Sequence, residues 1–485
     1  MSPGIVIVGL GPGQPAQLTL EAWQALQDAS EVYLRTRHHP IVPALPQTAQ
    51  YHSFDELYER LPTFAEVYAE IARRVIALGR RPQGVVYAVP GHPWVGESTV
   101  AQIVALAREE QLPVRVVAGL SFLEPTFAAL KLDPFDGLQI CDATVLAQKH
   151  HPNLDPDVAA LVVQLYHRHL ASEVKMTLVN LYPDEHPIKL VAGAGTAEER
   201  VVELPLYALD RRDDLDHLTS VLIPPLAKPG SVASLQDVVA RLRAPGGCPW
   251  DRQQTHQTLR PHLLEETYEV LEALDADDMA ALREELGDLL LQILLHAQIA
   301  TEEAAFRLGD TVQTIIEKLV RRHPHVFGQT AVSGAEEVLR NWEQIKRGEK
   351  GEEFTSMLAG ISPALPALSR AMEIQHRVAR VGFDWPNADG VWAKVLEELE
   401  EFRQASDAAR RAEELGDLLF SLVNLARWYE LDAESALRET NQRFARRFAA
   451  LERRAAQTGK PLEKMTLEEL DALWEEAKEE EERGR

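Results

Sequence analysis

The heptapeptide EELGDLL is written twice in this chain, at 284–290 and at 413–419, and each time a longer order of elements surrounds it. The first copy runs CPWDRQQTHQTLRPHLLEETYEVLEAL, then EELGDLLLQILLHAQIA, then EKLVRRHPHVFG. The second runs GFDWPNADGVWAKVLEELEEFRQA, then EELGDLLFSLVNLARWY, then NQRFARRFAALE. Both share an aromatic–Asp start, a Glu-Glu-x-x-Glu segment, a Glu-x-x-Asp segment and a later basic segment with paired arginines. Repetition of several elements in one order signals a duplicated supersecondary unit. Apolar residues recur at helical spacing through LLEETYEVLEAL and LLLQILLHAQIA, so the sequence from Ser234 onward is predicted as two all-α bundles of long amphipathic helices.

Upstream of residue 230 the pattern differs. Short β-branched runs, GIVIVGLG, GVVYAV, VRVVAG, KMTLVNLY and IKLVAGAG, alternate with TLEAWQALQDA and ESTVAQIVALAREE, which have helical spacing. That alternation predicts a layered α/β domain. IPPLAKPGS, Ile223 to Ser231, reads as a linker whose last residue caps a helix. The expected division is 1–225, a linker at 226–234, and helical segments at 235–350 and 360–485. The tail EEAKEEEERGR reads as a solvated helix end.

A chain of 485 residues, 45% hydrophobic and 26% charged, can bury several full cores. Its net charge of −25 argues against non-specific binding to nucleic acid, which depends on Lys and Arg neutralising phosphates. Two cysteines, Cys141 and Cys248, form neither a disulfide framework nor a zinc spacing, and a reducing cytoplasm is expected. The opening MSPGIVIVGLGPG lacks a basic region and reads as a buried strand, and no membrane span is expected.

Residues three or four apart share a helix face, so Glu266 with Glu269, and Glu285 with Asp288, present paired carboxylates, and Glu265 joins through Glu269. The second copy groups Glu397, Glu398 and Glu401, then Glu414 with Asp417. Packed together, such helices concentrate repulsive charge that calls for cations. All-oxygen donors favour Mg2+ or Mn2+, and the Glu-x-x-His pattern of di-iron bundles is missing from both copies. Leucines flank both Glu-x-x-Asp pairs, which predicts core helices. Gly287 and Gly416 each cost a helix interior about 1 kcal/mol relative to Ala, so a gap is expected there for another helix or a ligand.

CPWDRQQTH, the two acidic pairs and NQRFARRF resemble tandem MazG-type nucleoside triphosphate pyrophosphohydrolases, an all-α group, over roughly residues 235 to 460. The resemblance implies Mg2+-dependent cleavage of a nucleoside triphosphate to the monophosphate and pyrophosphate, and a homodimer or higher homo-oligomer. The implied metal ligands are Glu265, Glu266, Glu269, Glu285 and Asp288, and Glu397, Glu398, Glu401, Glu414 and Asp417. Basic groups are expected to complete a phosphate clamp: Lys318, Arg321 and Arg322 in the first copy, and Lys394, Arg443, Arg446 and Arg447 in the second. Asn441 is a further phosphate or sugar contact, and Trp250, Phe383 and Trp385 are candidates for base stacking. The second copy is expected to turn over substrate, with Glu398, Glu401, Glu414, Lys394 and Arg447 catalytic. It has Lys394 where the first has His262, and Asn441 where the first has Ile316.

GIVIVGLGPG is neither a dinucleotide fingerprint nor a Walker loop. With YAVPGHPWVGEST, AGLSFLEPTFAAL and VLIPPL it is similar to the tetrapyrrole methylase family over residues 3 to 225, in the branch fused to MazG domains. That resemblance implies two α/β subdomains with S-adenosylmethionine between them. Pro90, Gly91, His92, Pro93, Ser121 and Phe122 would line the cofactor, and Gly9, Gly11 and Gly13 the side of a tetrapyrrole-like methyl acceptor. His92 stands where porphyrinoid methylases commonly have an acidic residue, which leaves the acceptor open. Two other functions fit the sequence: a methyltransferase with a helical oligomerisation scaffold, and a nucleotide-sensing module without turnover.

Overall fold

The structure is a computed structural model that describes residues 3–483 except 336, 339–340, 343–344 and 346–355. The end of the first predicted helical segment, 346–350, lies outside the described residues. Two compact units are present, Met1–Arg252 and Gln253–Arg485.

The first unit contains two five-stranded sheets. One holds β1 (Ile5–Gly9), β2 (Glu31–Leu34), β3 (Gln50–Ser53), β4 (Val85–Val89) and β5 (Val114–Val117), all parallel, in the order β3-β2-β4-β1-β5. Parallel strands covered on both faces are apolar throughout, and β4 is buried at every residue. Ile5, Ile7, Val85, Tyr87 and Val89 pack with Val67, Ile71 and Val75 of helix Phe64–Gly79 and with Val100 and Ile103 of helix Ser98–Glu109. The alternate residues Val8, Val86 and Ala88 pack with Ala22 and Leu26 of helix Leu20–Gln27.

The second sheet holds β6 (Leu138–Asp142), β7 (Ala159–Val163), β8 (Pro187–Ala192), β9 (Arg200–Pro205) and β10 (Thr219–Ile223), in the order β6-β7-β10-β8-β9. Only β6 and β7 run parallel. The run KMTLVNLY, expected to be a strand, begins inside helix Arg168–Leu178. His167 Nδ1 accepts from Leu170 N at the start of that helix, and Leu170, Ala171, Val174, Thr177 and Leu178 are buried at helical spacing. Tertiary burial therefore overrides β-branched composition in this segment.

The predicted cap at Ser231 is present, accepting from Ser234 N at the start of helix Val232–Arg243. Asp157 holds this joint, accepting from Gly230 N, Ser231 N and the Ser234 hydroxyl. Those bonds, the Ser234 hydroxyl first, lower its carboxyl pKa to about 2.

The helical unit contains α1 (Arg260–Asp275), α2 (Met279–Glu302), α3 (Leu308–Arg322), α4 (Ala367–Ala379), α5 (Ala388–Gln404), α6 (Ala408–Trp428), α7 (Ala433–Thr458) and α8 (Leu467–Arg483). Side chains of Asp278, Asn387, Asp407 and Asp432 accept backbone N–H groups at the starts of α2, α5, α6 and α7. The pairs α1/α2 and α5/α6 pack along their lengths. Arg438 of α7 reaches Asp275 at the end of α1, Nε to Oδ2 2.8 Å.

The leucine-rich helices are not core helices all round. Leu294, Leu295 and Ile299 of α2 and Val423 of α6 are buried, but Leu286 and Leu415, within the two heptapeptides, are 49% and 43% exposed. Each helix buries one face and leaves an apolar stripe open. Among the described residues no helix is long and apolar enough to cross a membrane.

Candidate functional site

In the second copy, Glu398 and Glu401 lie one turn apart on α5, and Glu414 faces them from α6. One oxygen from each lies within 4.8 Å of the others. Glu398 is 4% exposed and Glu414 7%, so two charges are removed from water at the floor of the cluster. Lys394, one turn before Glu398, offsets part of that cost, with Nζ 2.6 Å from Glu398 Oε1 and 2.9 Å from Glu397 Oε1. Those carboxylates raise the lysine pKa. On α6, Arg410 Nε lies 3.4 Å from Glu414 Oε1. Burial, then Glu414 and Glu398, push the Glu401 carboxyl upward. Glu398 Oε2 is buried and has no hydrogen-bond partner among the described residues. An unmatched buried carboxylate oxygen beside two more carboxylates fits a hard divalent cation, and the oxygen-only donor set fits Mg2+ or Mn2+. The cluster opens into a cavity of about 570 Å³ that Asp417 also lines.

In the first copy the converging trio is Glu266, Glu285 and Asp288, again with oxygens within 4.8 Å of one another, and all three are half-buried. Burial, then Asp288 and Glu269, raise the Glu266 pKa; burial, then Glu269 and Glu284, raise that of Glu285. The cation at the Lys394 position is replaced by His262, whose Nδ1 lies 3.4 Å from Glu265 Oε2.

Beside the second cluster lies a mostly apolar cavity of about 310 Å³, walled by Val378, Phe383, Trp385 and Phe420. Lys394, Glu398 and Asp417 line both cavities, so the apolar chamber opens directly onto the acids. Pockets of this size with apolar walls and few polar groups suit a small organic ligand.

In the first unit, loops following β1, β4 and β5 meet at the carboxyl ends of the strands, where open α/β sheets place ligands. Gly11 and Gly91 form an isolated bridge. A Cβ on Gly9 would lie 2.7 Å from Gly91 O and Gly119 N, so only glycine permits this approach. Gly91 has a φ of +65°, which also favours glycine. His92 Nδ1 accepts from Trp94 N at 3.1 Å, holding the loop in a turn. Ser121 is buried, and its hydroxyl donates to Glu124 Oε2 at 2.6 Å while accepting from Leu123 N, which leads Phe122 into helix Leu123–Leu130.

Residues 4–210 match the family Tetrapyrrole (Corrin/Porphyrin) Methylases, and residues 254–327 match the MazG nucleotide pyrophosphohydrolase domain. The chain is 42% identical to the Bacillus subtilis uncharacterized protein YabN over all of both chains. It is 47% identical to the Thermotoga maritima nucleoside triphosphate pyrophosphohydrolase/pyrophosphatase MazG, covering 50% of this chain and 94% of that one. The Escherichia coli K12 nucleoside triphosphate pyrophosphohydrolase is 46% identical over 51% of this chain and 97% of its own. The chain belongs to the MazG family, fused to a tetrapyrrole methylase domain.

Of the ten MazG ligand positions expected from sequence, six converge: Glu266, Glu285, Asp288, Glu398, Glu401 and Glu414. Glu269 lies beside Glu266 and perturbs it, Asp417 lines the second MazG cavity, and Glu265 and Glu397 are exposed partners of His262 and Lys394. Of the expected clamp residues, Lys394 lines the cavity of the second copy. Arg446 and Arg447 instead reach Glu481 of α8, Arg443 donates to Thr440, and Asn441 is exposed on α7. Lys318, Arg321 and Arg322 lie on α3, where Arg322 stacks over Trp342. Trp250, Phe383 and Trp385 are all exposed, and Phe383 and Trp385 also line the apolar chamber. Arg410 was missed, although its i, i+4 spacing to Glu414 could have identified it. Among the described residues a Cβ on Gly287 or Gly416 meets nothing within 4 Å, so neither glycine accommodates a described neighbouring helix.

Proposed function

We propose that the second MazG copy hydrolyses nucleoside triphosphates to the monophosphate and pyrophosphate with a divalent cation, Mg2+ or Mn2+. The observation that carries this reading is the convergence of Glu398, Glu401 and Glu414 beside Lys394, in a cavity continuous with an apolar chamber. Glu398 and Glu414, with Asp417 at the rim, would hold the cation. When bound, it neutralises charge on the triphosphate and makes water a better nucleophile. Lys394 and Arg410 supply positive charge toward the phosphates. Glu401, exposed and with its carboxyl pKa raised, would orient the attacking water and accept its proton. Phe383 and Trp385 give the base an apolar wall. A scaffold has no need of a buried carboxylate oxygen without a partner; a sensor that binds a metal–nucleotide would use it too, and turnover is what separates the sensor from the enzyme.

The test is pyrophosphate release from a panel of nucleoside triphosphates with Mg2+, repeated with chelator. No release from any of them refutes the reading. The functional division follows 1–225, 235–350 and 360–485, with the first MazG copy a weaker site. In the methylase domain, Pro90, Gly91, His92, Pro93, Ser121 and Phe122 line an S-adenosylmethionine site facing a methyl acceptor across Gly9, Gly11 and Gly13. Calorimetry should detect S-adenosylmethionine binding that His92→Trp weakens, and absence of heat at millimolar cofactor would exclude that site. The open stripe of α3, Val312, Ile315, Ile316 and Leu319, supports a homo-oligomer, read by sedimentation. Free thiols at Cys141 and Cys248 accord with a cytoplasmic location.

A further inference from the structure

The apolar chamber beside the second acid cluster contains an amide whose orientation is fixed. Gln375, on α4, is 4% exposed and lines the chamber. Its Nε2 donates to the backbone carbonyl of Phe420 on α6 at 2.7 Å. Only the NH2 end of an amide can make that bond, so the flip that is usually ambiguous for glutamine is settled. Oε1 is therefore committed as an acceptor, and it is buried with no partner among the described residues. Almost all buried polar groups in native proteins are paired, so an unpaired one needs an explanation.

One turn beyond Phe420, Asn424 is 7% exposed and lines the same chamber. Its Oδ1 accepts from Arg427 Nε at 2.9 Å, and Arg427 is held in turn by Asp384, Nη2 to Oδ1 2.6 Å. Asn424 is thereby left with its NH2 group as a donor. Gln375 and Asn424 thus line one chamber with aromatic residues in its wall, the first with a committed acceptor and the second with a committed donor. A nucleobase edge with an N–H beside a ring nitrogen or carbonyl complements that pair.

We propose that this chamber selects substrates by an N–H on the base, with Gln375 Oε1 accepting it and Asn424 donating to the neighbouring acceptor. The inference rests on the pyrophosphohydrolase reading and adds what the site demands of the base. The substrate class is nucleoside triphosphates whose base carries such an N–H; a base without one leaves Gln375 Oε1 buried and unmet. Sites built to bond a polar group reject analogues that lack it far more strongly than apolar pockets reject a missing methylene.

The experiment compares kcat/KM for ATP and for purine riboside triphosphate, which has the same ring without the exocyclic amine, using the full chain with Mg2+. The wild type should prefer ATP by about tenfold or more, and Gln375→Met should collapse that ratio toward one. Equal kcat/KM for the two substrates in the wild type overturns the proposal whatever the variant does. A ratio that persists in a folded Gln375→Met removes Gln375 from the recognition. Release of no pyrophosphate from either substrate instead refutes the hydrolase reading itself.

Discussion

The two acid clusters grow from the same heptapeptide but differ in their surroundings. In the second, Glu398 and Glu414 are buried, and cations stand at the turn before each: Lys394 on α5 and Arg410 on α6. In the first, the trio is only half-buried, and the corresponding positions hold His262 and Ala281. Duplication preserved the carboxylate spacing, which helical geometry translates directly into proximity. It did not preserve the counter-charge, which resides on residues outside the repeated motif. On the proposed reading, metal affinity would persist in both copies while phosphate handling would be concentrated in the second.

The largest expected effect follows from that asymmetry. Glu398→Gln with Glu401→Gln should lower pyrophosphate release by about a hundredfold or more, since it removes oxygens that would hold the cation and the water. Glu266→Gln with Glu269→Gln should leave the rate within about threefold, because a half-buried cluster without a lysine contributes little transition-state stabilisation. Equal losses in the two doubles would break the comparison, and the reverse order would invert it. Next in size, Lys394→Met should raise KM about tenfold by removing one charge-assisted phosphate contact. His262→Met, the matched change, should leave KM unaltered.

A third contrast concerns stability without metal. Glu266 and Glu285 have carboxyl pKa values raised by burial and by their acidic neighbours. A raised carboxyl pKa means that the folded chain holds more protons than the unfolded one between the two values. Stability is thus gained as pH falls through the folded value and lost as pH rises. In chelator at neutral pH, Glu285→Gln should raise the melting temperature, whereas Glu398→Gln should lower it by breaking the buried pair with Lys394. Matching shifts in the two variants would show that the clusters are electrostatically alike.

The smallest effect belongs to the glycines. Gly287→Ala and Gly416→Ala meet open space, so each should stabilise its helix by about 0.5–1 kcal/mol. Only Gly416→Ala should also slow hydrolysis, by crowding the bound triphosphate. If neither slows it, the gap has no role in substrate binding.

What could be read from the sequence followed from local periodicity. Alternate residues of β1 and β4 face two cores, which is why these strands are continuously apolar, and their alternation with helical stretches announced a layered α/β domain. The i, i+3 spacing of Glu398 and Glu401 placed them together before any packing was known. KMTLVNLY misled because β-branched content is a weak local preference, and the burial of Leu170, Val174 and Leu178 decided the conformation. The charged tail departs from its reading as solvated for a different reason. Arg446 and Arg447 are drawn to Glu481 in a tail that read as solvated, and Arg454 pairs there with Glu476 and Glu480. Pairings between distant segments leave no periodic trace. Gln375 was invisible for the same reason, since its significance depends on Phe420 of another helix.

The open stripes of the helical unit carry a thermodynamic consequence. Ile315, Ile316 and Leu319 on α3, and Leu415, Leu419 and Leu422 on α6, are each between 40 and 55% exposed. Contact with a second copy of the chain would add apolar burial that the folded monomer lacks, and by mass action the melting temperature of the helical unit then becomes a function of protein concentration. The methylase unit, whose first sheet is covered on both faces, should melt at a temperature independent of dilution. A dilution series followed by calorimetry would therefore separate the two units into one transition that moves and one that stays.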